Sequence, residues 1–199
     1  MDGFDVYERE CVEAMCARID LPVSSLDDAR PFLCRLPGHR ERDPSATWFR
    51  SWSGYYVYTD WHERSGEHSY TVPEVYAALV SGMVQRLPKP SRMAWRLRLM
   101  VEEGWLTPEP VRMRPMPDDA SPLLQRYYEG FRLLIACKSC HPDTMPNAAT
   151  VFAKSFAARW CGIPEGSIWS VHQEALQRDL IVFAGVYKRQ ALYRPGKDE

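Results

Sequence analysis

The chain has 199 residues, 45% of them hydrophobic, 12% aromatic and 26% charged, with a formal net charge of -1. That composition suits one large or two small globular domains and excludes a collagenous, low-complexity or strongly polycationic protein. Asp2, Asp5, Glu8, Glu10 and Glu13 occupy the stretch where a secretory signal would be basic and then apolar, and no apolar run approaches a membrane span, so a cytoplasmic location is expected.

Taken in chain order, the first signal is helical. Phe4, Tyr7, Cys11 and Met15, with Val12, Cys16 and Ile19, recur at helical spacing and give an amphipathic first helix with Cys11 and Cys16 in its core face. From Pro31 to about Tyr70 the pattern changes to short aromatic and Thr-rich runs between turn residues, which predicts β-strands. Ala46–Phe49 and Tyr55–Tyr58 are the clearest, joined across Ser51-Trp52-Ser53-Gly54. Helices are expected over Pro73–Ser81, with Pro in the first turn, and over Ser91–Glu103, stopped at Gly104. Pro108, Pro110, Pro115, Pro117 and Pro122 then mark the best domain boundary. The expected division is 1–106, a Pro-rich linker over 107–121, and a second domain over 122–199.

Leu123, Leu124, Tyr127, Phe131, Leu134 and Ile135 predict a long core-forming helix ending near Cys140. A second helix, with Phe152, Phe156, Ala157 and Trp160, leads into Cys161-Gly162-Ile163-Pro164. A helix-turn-helix needs a small residue where two helices nearly touch, a glycine able to take positive φ in the turn, and an apolar anchor on the next helix. Ala158, Gly162 and Ile168 have those spacings. Ile168, Val171, Ala175 and Leu176 form the buried stripe of the third helix. Gly166, Trp169, Ser170, Gln173 and Gln177 are left outward, with Ser167 beside them. Gln can read an adenine edge and Ser a base or phosphate, so this is a candidate recognition surface. Ile181–Ala184 and Val186–Tyr193, flanking Gly185, predict a β-hairpin wing with Lys188 and Arg189 on or near it, placed to meet phosphates as are Arg194 and Lys197. Charge distribution supports this, since Leu123–Lys197 holds ten Lys or Arg against five acids and Arg30–Arg50 five Arg against two.

The run Phe32-Leu33-Cys34-Arg35-Leu36-Pro37-Gly38-His39-Arg40-Glu41-Arg42-Asp43-Pro44-Ser45-Ala46 resembles the start of the zinc-ribbon domain of bacterial DNA primases, named for its Cys-His-Cys-Cys ligands. The likeness continues through Tyr56–Gly66 as the second strand and turn, and Val72–Leu79 as the helix. It departs where Tyr58 and Trp61 stand at the positions of the last two cysteines, neither of them a useful zinc donor. Cys34 and His39 remain, and Asp60 and His62, next to the lost positions and on one face of a strand, are the expected replacements. His68 is a further candidate. The alternative is a ribbon without metal, held by Trp48, Trp52, Tyr56, Tyr58 and Trp61. Cys137-Lys138-Ser139-Cys140-His141 has the gap of a zinc knuckle but lacks a partner pair, and Cys137 falls on an apolar helix face, so core cysteine is the simpler reading. Proteins of phages and mobile elements join such a ribbon to a winged helix, and Ser155–Gly162 is similar to the helix-turn-helix core of that group.

No Asp-x-Asp pair, Gly-rich phosphate loop or Gly-x-Ser-x-Gly elbow is present, and Asp27-Asp28 and Asp118-Asp119 read as turn or cap residues, so no enzyme is expected. The fold class expected is α+β, a zinc-ribbon-like β domain with flanking helices followed by a winged helix-turn-helix. The implied function is non-catalytic DNA binding in replication or its control on a phage or mobile element, with zinc as cofactor. The alternatives are a protein interaction module or an accessory subunit of a primase or recombination complex, binding a replication or recombination protein. The modest basicity of the outward face implies weak binding by one copy, so a homodimer or a partner is expected.

Overall fold

The structure is a computed structural model describing residues 8–21, 28–61, 69–141, 144 and 149–196. The fold is mixed α+β, with six helices and two three-stranded antiparallel sheets among the described residues, and the chain divides into two compact units, Met1–Glu103 and Gly104–Glu199. No helix among those residues is long and apolar enough to cross a membrane.

In the first unit, α1 (Glu8–Arg18) buries Cys11, Val12, Met15 and Cys16, as its periodicity predicts. Strands β1 (Ala46–Arg50), β2 (Tyr56–Asp60) and β3 (Ser69–Thr71) form a meander in that order, with Trp48 opposite Tyr58 and Ala46 opposite Asp60. Trp48 and Tyr58 meet edge to face at 5.1 Å, both fully buried. β3 runs straight into α2 (Val72–Ser81), with Pro73 in its first turn and Gly82 closing it at φ 70°. α3 (Lys89–Glu102) follows.

Glu74, 1% exposed, ties these helices together. Its carboxylate accepts from the Thr71 N–H at 2.9 Å, the Thr71 hydroxyl at 2.8 Å, the Leu87 N–H at 3.1 Å and the Arg92 guanidinium at 3.1 Å. Burial alone would raise its pKa, but these donors outweigh it and hold the carboxyl below the usual range. A buried charge survives in a core only when its lone pairs are satisfied in this way.

In the second unit, Ser121 accepts a bond from the Leu124 N–H and starts α4 (Pro122–Ser139). β4 (Thr150–Val151) precedes α5 (Lys154–Cys161) and α6 (Glu165–Gln177), then β5 (Ile181–Tyr187) and β6 (Gln190–Pro195) close a sheet ordered β4-β6-β5. Tyr127, Phe131, Phe152, Phe156 and Trp160 form one aromatic chain in the core. α4 and α5 approach closely at Gly130, where an added Cβ would stand 2.4 Å from Cys161 Sγ, and the Trp160 indole N–H donates to the Gly130 carbonyl at 2.7 Å. The Pro-rich stretch 107–121 has no regular secondary structure and is tied to this unit. Tyr128 donates to the Arg114 carbonyl at 2.6 Å, and Arg178 pairs with Asp119 at 2.7 Å.

The expected hairpin differs in one respect. Gly185 is not at its turn: it sits at φ 126° in a bulge within β5, and the two-residue turn is Lys188-Arg189, between paired Tyr187 and Gln190. Bulge and turn both call for an unusual backbone, and glycine took the bulge.

Candidate metal centre and candidate nucleic-acid interface

Cys34 lies just beyond Phe32, whose bridge to Ala46 anchors the loop to β1. Pro37-Gly38 turns the chain, with Gly38 at φ 85°, and brings His39 and then Glu41 back over the sheet. Asp60 ends β2 opposite Ala46. As a result one donor atom from each of Cys34, His39, Glu41 and Asp60 lies within 4.8 Å of the others, a cluster that could hold a metal ion. His39 Nδ1 is 2.6 Å from Asp60 Oδ2, and the Ser45 hydroxyl bonds Asp60 at 3.1 Å and also Glu41. The Cys34 N–H donates to Glu41 at 2.9 Å. The first and last of these contacts join members of the cluster to one another, and Ser45 orients both carboxylates from outside it.

The donor set is one sulfur, one imidazole nitrogen and two carboxylate oxygens, all recognised zinc ligands. Burial pushes the Cys34 thiol up to about 12, against a lowering bond from Tyr58. That tyrosine donates to Cys34 Sγ at 3.2 Å and accepts from the Arg35 N–H at 3.0 Å.

Three of the four expected ligands, Cys34, His39 and Asp60, are therefore together. His62, like His68, lies outside the described residues, and Glu41 completes the group. Sequence reasoning passed over Glu41 as part of a charged turn, although its two-residue offset from His39 on a tight loop was the available signal. The expected aromatic core is also corrected. Trp48, Tyr56 and Tyr58 are buried, but Trp52 is fully exposed at the β1–β2 turn and Trp61 is 65% exposed, its indole held by Thr47 at 3.1 Å. A five-residue β-strand has room for few large rings on one face, and these two fall beyond its ends. Cys137 is buried within α4 and Cys140 donates to the Ala136 carbonyl. They join no metal-binding group among the described residues.

In the second unit, Gly162 takes φ 63° after α5, and the Ile163 N–H returns to the Ala158 carbonyl at 2.8 Å, the closure expected of the turn. Ala158 and Ile168 are buried. Along α6, Gly166, Trp169, Ser170 and Gln177 are exposed, while Ser167 and Gln173 are half-buried. Lys154 Nζ sits 3.1 Å above the Trp169 ring, adding a cation to that face. Lys188 and Arg189 form the exposed tip of the β5–β6 hairpin at φ 48° and 65°. Phe183, Val186 and Tyr187 are exposed along β5, an edge strand.

Behind α6, His172 is 3% exposed, bonded through Nδ1 to the Tyr127 hydroxyl at 2.7 Å and set edge-on to Tyr193 at 4.9 Å. Helical patterning treated it as neither core nor surface, and it is core. Burial, then the charge of Lys154, hold its pKa below 6.5. The unfolded chain then binds a proton that the folded unit refuses, so stability present above about pH 6.5 falls as pH is lowered. Urea unfolding of the full chain should show the second unit weakening between about pH 7 and pH 5. His172→Gln, which keeps a partner for Tyr127, should flatten that slope, and an unchanged slope would locate the pH sensitivity elsewhere.

No protein-family model, curated protein or solved structure matches the chain.

Proposed function

We propose that the protein is a non-catalytic DNA-binding protein acting in replication or its control on a phage or mobile element. Its second unit is then a winged helix that meets duplex DNA, and its first a primase-like ribbon in which zinc is held by Cys34, His39, Glu41 and Asp60. The observation that carries the reading is the order helix, strand, helix, αL glycine, helix, hairpin, with a largely polar face on α6 to which Lys154 adds a cation, and a hairpin tip made of Lys188 and Arg189. A duplex offers base edges to the first and phosphates to the second. Zinc would supply a cross-link between the loop and the end of β2, with His39 and Asp60 exchanging their mutual bond for the ion.

Fluorescence anisotropy with a labelled duplex tests it. Binding should weaken steeply with salt, and Gln173→Ala should cost about 1–3 kcal/mol on sequences carrying the read base and nothing on others. Salt-independent affinity, or none, rejects duplex binding. Exposed Phe183, Val186 and Tyr187 on an edge strand favour a second reading, a docking module for a replication protein, which such an outcome would leave standing.

A further inference from the structure

The first unit contains a pocket of about 410 Å³ that neither the metal cluster nor the DNA reading uses. One wall is a single face of α3, because Lys89, Arg92, Met93 and Arg96 fall at positions i, i+3, i+4 and i+7. Facing it are the β1–β2 turn, through Ser51, Ser53 and Tyr55, and the apolar surfaces of Val57 and Pro73.

Its electrostatics are those of an anion site. Three cations line it against the single carboxylate of Glu8, which pairs with Arg96 at 3.5 Å. Arg92 is held by Glu74 through one nitrogen, yet its buried Nε–H has no acceptor among the described residues. Lys89 is exposed and belongs to no ion pair among those residues. Both stand at the amino end of a 14-residue helix, where the backbone dipole also favours negative charge. The remainder of the lining is the hydroxyls of Ser51, Ser53 and Thr71 and the apolar or aromatic surfaces of Tyr55, Tyr56, Val57, Pro73 and Met93, with Tyr55 42% exposed. The ligand that matches therefore joins a compact anion to a flat ring.

We propose that this pocket binds a nucleoside phosphate. The phosphate sits between Lys89 and the Arg92 guanidinium, the Ser51 and Ser53 hydroxyls are at hand for the sugar, and the base lies against Tyr55 over Val57, Pro73 and Met93. The same chemistry arrives either as a free mononucleotide or as the 5′-phosphorylated end of a strand. The pocket is independent of the duplex-binding surface assigned to the second unit.

Quenching of tryptophan emission in the full chain tests it, since Trp52 lies between two lining residues. Titrations would use nucleoside 5′-monophosphates, the matching nucleosides, inorganic phosphate, and a short single strand with and without a 5′-phosphate. Saturable binding of a mononucleotide identifies the free nucleotide, and saturation only by the 5′-phosphorylated strand identifies the strand end. Lys89→Ala, a change at an exposed position, should weaken either by about tenfold, and Tyr55→Ala by at least about fivefold, with the far-UV spectrum unchanged. The paired substitution Lys188→Asn with Arg189→Gly should leave this binding intact. No saturation by any phosphate compound up to roughly 5 mM overturns the proposal. So does inorganic phosphate or the bare nucleoside binding as tightly as the nucleotide, or Lys89→Ala without effect.

Discussion

Replacing Lys188 by Asn and Arg189 by Gly is expected to stabilise the second unit while weakening duplex binding by about a hundredfold, two effects of opposite sign from one change. The hairpin turn has two central residues, both at positive φ. A two-residue turn of this kind matches the twist of its strands but favours Asn-Gly, because the left-handed region costs an ordinary side chain roughly 1–2 kcal/mol. Lys and Arg at these positions are therefore locally unfavourable, and both side chains are exposed, Lys188 lying over the neighbouring Tyr187 ring at 5.2 Å. Strain kept at an exposed site is accounted for if two cations are needed at the tip, where each can bond a phosphate. Asn-Gly should relieve about 1–2 kcal/mol, the glycine's extra freedom in the unfolded chain offsetting part of the gain, and a rise of several degrees in Tm follows for a unit of this size. The slope of log affinity against log salt should fall by about two. The corresponding double alanine variant should lose the affinity without gaining stability. Equal losses of stability in both variants would show the turn is not strained, and unchanged affinity would remove the hairpin tip from the interface.

The second large effect concerns the metal. Protein purified without a histidine tag should carry about one equivalent of zinc, and chelation should destabilise the first unit by roughly 4 kcal/mol at free zinc a thousandfold above Kd. Glu41→Gln and Cys34→Ala should each reduce the metal to less than about a tenth of an equivalent, since zinc requires four well-placed donors. His62→Ala should leave it in place, because Glu41 already completes the set. Loss of zinc in His62→Ala with retention in Glu41→Gln would reverse that assignment. Protein that holds no zinc and melts unchanged with chelator would be a ribbon supported by its packing alone, with Trp48 and Tyr58 at its centre.

Much of the chain was legible because its signals are local. The periodicity of Cys11, Val12, Met15 and Cys16, the positive-φ turn at Gly162, and the spacing of Ala158, Gly162 and Ile168 each depend on backbone geometry within a few turns. The same holds for Cys34 and His39, which share one loop. The features that patterning passed over depend on separations it does not measure. Gly130 is needed because Cys161, thirty-one positions away, presses on it. His172 is buried because Tyr127 and Tyr193 arrive from other elements.

The sequence by itself determined the helices, the strands β1 and β2, the hairpin segments and three members of the Cys34, His39, Glu41 and Asp60 cluster, since propensity, capping and hydrophobic period act over short range. Only the tertiary structure decided the rest. Folding of the Pro37-Gly38 loop onto the end of β2 made Glu41 a companion of Asp60, and the register of β5 on β6 moved the turn from Gly185 to Lys188-Arg189. Both outcomes follow from contacts between distant segments, where closure of the chain and packing of side chains, rather than local preference, set which atoms meet.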